Sequence, residues 1–117
     1  MEKLTIKEEE IMQILWNIEK GFVKDVIDKL PSPKPPYTTV SSIIRILEGK
    51  GFVSHNTYGN THEYFPIVSK EDYRKNSFTN FVDKYFDSSI KNVVSFLMKE
   101  EKLSTKEIEE IKQLLKK

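Results

Sequence analysis

The chain has 117 residues, 38% of them hydrophobic and 32% charged, with no cysteine and a formal net charge of +1. That length and apolar content suit one small folded domain, alone or with an appendage, and the missing thiols exclude a disulfide framework, thiolate chemistry and a cysteine metal site. No stretch approaches the roughly 18 apolar residues of a membrane span, and the opening MEKLTIKEEE lacks a secretory apolar run, so a cytoplasmic location without membrane insertion is expected.

In chain order, Thr5 with Glu8 forms a capping box, and Ile11, Ile14, Leu15 and Ile18 mark the buried stripe of a first helix that stops before Gly21. Trp16 reads as core or flank packing. A second helix, about 23–30, buries Val23, Val26, Ile27 and Leu30. It ends at Pro31-Ser32-Pro33-Lys34-Pro35-Pro36, because so many prolines cannot continue a helix; the stretch reads as a stiff connector between two helices, with a Pro-rich recognition motif the less favoured reading.

The third helix is predicted to start at Thr38 as N-cap and to end at Gly51, a left-handed residue followed by Phe52 against Leu47. Val40, Ile43, Ile44 and Leu47 lie at i, i+3, i+4 and i+7, one apolar face. Thr38, Ser41, Ser42 and Arg45 repeat that spacing on the opposite side. Short hydroxyls and one guanidinium, without a long carboxylate between them, suit phosphate oxygens and base edges in a DNA major groove. The plainer reading is a solvated helix whose hydroxyls serve as caps. Phe52 to Thr57 and His62 to Pro66 then read as two strands around Tyr58-Gly59-Asn60-Thr61. Three helices followed by a hairpin is the order of a winged helix-turn-helix.

From residue 69 only helices follow. Ser69 with Asp72 opens a helix marked by Phe78, Phe81, Val82 and Tyr85; Asp87 or Ser88 caps one with Ile90, Val93, Val94 and Leu97; Ser104 with Glu107 opens the last, with Ile108, Ile111, Leu114 and Leu115. Three apolar faces with Phe81, Tyr85, Phe86 and Phe96 exceed what so short a segment hides alone. Pairing with a second copy through Phe81, Tyr85, Val94, Leu97, Ile111, Leu114 and Leu115 is therefore expected, the other solution being folding back on the N-terminal part. The expected fold class is mostly α with a small β-hairpin: a winged helix-turn-helix domain at 1–68 and a helical dimerisation region at 69–117.

Charge limits how such a protein holds DNA. Residues 1–68 carry 8 Lys and Arg against 9 Asp and Glu, and residues 69–117 carry 11 against 9. The N-terminal part has no broad positive field, so a grip on phosphate depends on local placement, with modest affinity per subunit and hence dimers.

LTIKEEEIMQILW, YTTVSSIIRILEGKGFVSH, the hairpin ending EYFPIVSKEDY and the tail LSTKEIEEIKQLL resemble the BlaI/MecI penicillinase-repressor family, which also contains the copper-responsive CopY repressors. The resemblance runs over nearly the whole chain, with TTV–RILE–KGF its most specific block. It implies a dimeric winged-helix transcriptional repressor on an inverted-repeat operator in double-stranded DNA. Thr38, Thr39, Ser41, Ser42 and Arg45 are similar to the family's recognition-helix contacts, and Asn60 and Thr61 stand at the wing tip. Gly49 stands where relatives often carry a basic residue, and Gly59-Asn60-Thr61 lacks the Arg or Lys often found there. Copper sensing of the family's kind needs C-terminal cysteines, which this chain lacks. The β-lactam branch is relieved when a sensor-protease system cuts an Asn-Phe bond; the matching pair here is Ser95-Phe96, with the Phe kept and the Asn not.

No catalytic constellation is present: the four glycines, at 21, 49, 51 and 59, are too dispersed to cradle phosphate, and there is no His-Glu-x-x-His or nucleophile elbow. His55 and His62 fall diagonally on one hairpin face and read as surface histidines, not a metal site; no cofactor is expected. Glu8-Glu9-Glu10 and Glu109-Glu110 read as first-turn or solvent-facing groups. Two other functional readings remain: a winged-helix protein-interaction module, and a repressor released by a small molecule in the dimer crevice.

Overall fold

The computed structural model describes residues 1–100 and 104–115. Among them are six helices and one hairpin: α1 (Ile6–Ile18), α2 (Val23–Lys29), α3 (Tyr37–Gly49), β1 (Val53–Tyr58), β2 (Thr61–Pro66), α4 (Lys70–Tyr85), α5 (Ile90–Lys99) and α6 (Thr105–Leu115). The chain divides into two compact units, Met1–Arg74 and Lys75–Lys117. The first runs past the break expected after residue 68 because Tyr73, near the start of α4, is buried with the N-terminal core and its ring packs edge-on against Phe52, with centroids 5.6 Å apart.

In the first unit the capping box opens α1 as its sequence requires: the Thr5 side chain accepts from Glu8 N–H at 3.2 Å, and the Glu8 carboxylate accepts from Thr5 N–H at 2.9 Å. The buried stripe is Ile11, Met12 and Leu15, with Ile14 and Ile18 only partly covered, so the helix is rotated from the expected face and Met12 takes the centre. α2 buries Val23 and Val26, Ile27 flanks the core, and Leu30 is buried just beyond the helix as its C-cap. Lys34 Nζ donates to the Asp28 and Leu30 carbonyls, closing α2 from within the Pro-rich connector.

α3 begins one residue before the expected cap. Pro36 is the N-cap, with extended dihedrals of −60° and 149°, and Thr38 lies inside the first turn with no capping role. Proline's fixed φ already suits a helix entry, so no hydroxyl is needed to set it. The other end follows the sequence: Gly51 has φ +82°, Phe52 N–H donates to Leu47 C=O at 3.0 Å and Gly51 N–H to Glu48 C=O at 3.0 Å, the paired bonds of a Schellman motif. Val40, Ile44 and Leu47 are each no more than 1% exposed and join the core formed with α1, α2 and Phe52.

The hairpin is tighter than expected. β1 and β2 pair antiparallel from Val53↔Pro66 to Tyr58↔Thr61, leaving a two-residue turn, Gly59-Asn60. β2 is pinned to the α1–α2 corner: Gly21 N–H donates to Tyr64 C=O at 2.9 Å and Tyr64 N–H to Gly21 C=O at 2.8 Å. A Cβ at Gly21 would lie 2.7 Å from Ile18 Cδ1 and 3.2 Å from Asp25 Cβ, so this corner is built around a missing side chain. Trp16 Nε1 donates to Val68 C=O at 2.9 Å, holding the strand exit on the flank of α1.

In the second unit, Ser104 and Glu107 form a reciprocal capping box for α6. α4, which starts in the first unit, is capped by Ser69 Oγ, which accepts from Asp72 N–H at 3.0 Å. Ser89, not Asp87 or Ser88, caps α5, accepting from Asn92 N–H at 3.1 Å; the two earlier residues have φ of 52° and 61°, unsuited to the extended N-cap. No helix among the described residues is long and apolar enough to cross a membrane.

Glu8 keeps the first-turn, capping-box place its sequence predicts but does not face solvent: it is 5% exposed and pairs with Lys50, the C-cap of α3, at 2.7 Å. Burial works against its charge, but the bonds from Lys50 and Thr5 N–H outweigh it, and the carboxyl titrates below its ordinary value of 4.5. A carboxyl with a depressed folded pKa gives stability that is complete above its unfolded pKa and is lost as pH falls through the folded one. Urea unfolding midpoints should therefore drop more for the wild type than for Glu8→Gln between about pH 7 and about pH 3. Equal drops would show that the pair does not couple folding to protons.

Candidate nucleic-acid interface

The face of α3 turned away from the core is formed by Thr38, Thr39, Ser42, Arg45, Ile46 and Gly49, all exposed. Four of the five helix residues singled out by the sequence fall there. Ser41 is half-buried and sits on the flank of that face, toward the hairpin. Burying Val40, Ile44 and Leu47 on one side leaves the polar side no other direction, because the two stripes are opposite on one rigid helix.

Beside this face runs an open cleft of about 470 Å³, between the start of α2, α3 and the hairpin. Lys24, Tyr37, Ser41, Arg45, Asn60 and Thr61 line it, together with Phe22, Val23, His62 and Tyr64. It brings Arg45 and Ser41 together with the two hairpin-tip residues picked out from the sequence. Thr38, Thr39 and Ser42 do not line it. Two cations, Lys24 and Arg45, and no carboxylate line the cleft among the described residues, and the Glu48 charge reaches it at Tyr64.

Tyr37 and Lys24 were not evident from the sequence. Tyr37 is 56% exposed, one helical turn before Ser41 and two before Arg45, and shares their side of α3. Its signal was an aromatic at the first helical position after a proline, legible only once Pro36 is seen as the cap. Lys24 enters only because α2 starts next to the hairpin.

A polar cluster joins the end of α3 to the hairpin. Glu48 Oε2 lies 2.5 Å from His55 Nδ1, and the His55 and His62 rings are 4.1 Å apart. Thr57 Oγ1 lies 3.2 Å from His62 Nδ1. Tyr64, 4% exposed, meets the His55 ring at a tilt and the His62 ring edge-on; burial and the Glu48 charge raise its phenol pKa, while Arg45 opposes them. The histidines thus lie on one face, as the strand register predicted, and a carboxylate does sit beside one of them. No group of three or more His, Asp or Glu able to hold a metal ion occurs among the described residues. The cluster instead ties hairpin orientation to α3.

In the second unit, Phe81, Tyr85 and Leu114 are 48%, 62% and 66% exposed, while Val94, Leu97 and Ile111 are half-buried. The side chain of Leu115 lies outside the described residues. Val82 is the residue of α4 buried in this unit, and Phe81, Phe86 and Phe96 form a chain of ring contacts at 5.7 and 5.5 Å. Ser95 and Phe96 are both exposed on α5.

The family model described as "Penicillinase repressor" matches residues 4–117. Among curated proteins, the chain is 26% identical to the methicillin resistance regulatory protein MecI of Staphylococcus aureus (strain N315), over 98% of this chain and 94% of that one. It is 25% identical to the penicillinase repressor of Bacillus licheniformis, over 91% and 84%. Among solved structures, the DNA-binding domain of the repressor BlaI superposes with a TM-score of 0.53 at 25% identity, covering 62% of this chain and 94% of that domain.

The hairpin tip gives a test of local geometry. Gly59 has φ +61° and Asn60 does not share that sign, the glycine-first arrangement of a type II′ turn. Gly59→Ala should lower unfolding free energy by about 1 kcal/mol in urea titration, since a Cβ there is strained, whereas Asn60→Ala should stay within about 0.5 kcal/mol. Equal effects would contradict the turn assignment.

Proposed function

The chain belongs to the penicillinase repressor family and is a transcriptional repressor that binds DNA, and we propose that it acts as a homodimer in the cytoplasm, each copy laying α3 in the major groove of one half of an inverted-repeat operator. The family is one of non-enzymatic regulators, so the work of the protein is binding alone. The observation that carries the proposal is the exposed Thr38, Thr39, Ser42 and Arg45 face, opposite a fully buried one on the same helix.

In this reading Thr38 and Thr39, near the helix N-terminus, bond phosphate or offer methyls to thymine, and Arg45 takes phosphate or guanine. Ser41, Asn60 and Thr61, with Lys24 and Tyr37, hold the sugar-phosphate backbone that enters the cleft. Hydroxyls and amides bond phosphate oxygens without requiring a high net charge, which suits a unit whose ionic residues nearly cancel. Dimerisation is supported by the exposed rings of Phe81 and Tyr85 on α4 and by Leu114, together with Val94, Leu97 and Ile111, on the amphipathic α5 and α6. Two weakly bound half-sites then act as one strong site, since the second contact becomes intramolecular.

Relief of repression by a protease system that cuts between Ser95 and Phe96 is supported by the exposure of both residues. Cutting in α5 would sever α6 from the rest of the chain and weaken dimerisation. An intact-mass measurement on the protein from induced cells should show a fragment ending at Ser95; persistence of full-length chain alone during derepression contradicts this route.

Selection of bound fragments from random duplex DNA, using the full chain, tests the main proposal. A palindromic consensus is expected, with two copies per duplex and an affinity that falls steeply with salt as counterions compete for phosphate. Arg45→Ala should weaken binding to that duplex about tenfold or more with an unchanged melting curve, while Ile44→Ala should cost about 2–5 kcal/mol of folding stability. Salt-insensitive binding, or equal affinity for Arg45→Ala and wild type, would favour a protein-docking surface instead.

A further inference from the structure

One side chain on the outward face of α3 does not belong to the hydroxyl-and-guanidinium set: Ile46, 49% exposed. The apolar requirement of the helix is already met by Val40, Ile44 and Leu47, each no more than 1% exposed, so Ile46 is not an overflow of the core stripe. It lies at i+7 from Thr39 and i+4 from Ser42, and Gly49 follows at i+3, so it shares their side of the helix. Ser42 and Gly49, one turn before and after it, are small. A Cβ at Gly49 would meet nothing within 4 Å, so packing does not demand glycine there, and glycine weakens a helix; its effect is to leave the surface beside Ile46 open to close approach.

A branched aliphatic side chain standing between a serine and a glycine offers no hydrogen bond, only shape and apolar area. In a helix its β-branch leaves essentially one rotamer, so it is already fixed before binding and loses little freedom when covered. The major groove presents one strongly apolar group, the C5-methyl of thymine; the other base-edge features there are hydrogen-bond donors and acceptors. We infer that Ile46 is a specificity-determining residue that packs on a thymine methyl in each operator half-site. The inference rests on the proposal that α3 lies in the major groove, and adds to it the class of base that the C-terminal part of the helix selects.

The test uses the full chain and a duplex enriched by it from a random pool, in which each thymine is replaced singly by deoxyuridine, removing the methyl and nothing else. Wild type should lose about fourfold in affinity at one thymine per half-site, the worth of one buried methyl group. Ile46→Ala should bind the parent duplex more weakly and show no further loss at that same position, whereas Arg45→Ala should retain the deoxyuridine penalty. Because Ile46 is exposed, the variant's melting curve should match that of wild type. If no deoxyuridine position weakens wild type, or if Ile46→Ala keeps every penalty that wild type shows, this inference is overturned while DNA binding stands. If no duplex is enriched at all, the major-groove reading falls first and takes this one with it.

Discussion

The two-sidedness of α3 is the constraint from which the rest follows. Val40, Ile44 and Leu47 are buried among α1, α2 and Phe52, and the helix cannot rotate without exposing them. Burial of three such side chains stabilises this orientation by several kcal/mol, of the order of 1.5–3 kcal/mol for each. The opposite face is thereby fixed outward, whatever it binds. Both ends of the helix are also clamped: Pro36 and the connector set its entry, the Schellman bonds set its exit, and Lys50 beyond its last turn is tied to Glu8 at the start of α1. The outward face is thus positioned by the core rather than by a flexible loop, so a partner meeting it finds it already ordered.

The hairpin is positioned by the same logic. Backbone bonds between Gly21 and Tyr64 fasten β2 to the α1–α2 corner, and the Glu48–His55 pair fastens β1 to the last turns of α3. The cleft between them therefore has a defined shape before any ligand arrives. Its lining places Lys24 and Arg45 side by side without a lining carboxylate, among the described residues, in a unit whose ionic residues nearly cancel.

Much of this was legible in the chain. Capping boxes at Thr5/Glu8 and Ser104/Glu107, the glycine at the end of α3 and the period of its apolar face all act within a few residues, where sequence spacing and geometry coincide. Errors arose where local preferences competed. Thr38 has the chemistry of an N-cap, but Pro36 already supplied the extended entry; Asp87 and Ser88 have it too, but their backbone turns left-handed and passes the role to Ser89. What needed three dimensions was missed: Met12 at the centre of the α1 stripe, Glu8 buried against a residue 42 positions away, and Lys24 and Tyr37 in a cleft made by three separate segments. The exposed rings of Phe81 and Tyr85 were foreseeable as apolar excess, since a short helical segment has too little interior to hide them.

The account stands on the outward face of α3 meeting duplex DNA, and backbone amide chemical shifts of the full chain report on that contact most directly. On adding an enriched duplex, the shifts of Tyr37 to Gly49 and of Gly59 to Thr61 should move together and saturate at one duplex per two chains, with α6 little affected. Shifts confined to α5 and α6, or none in α3, would contradict it.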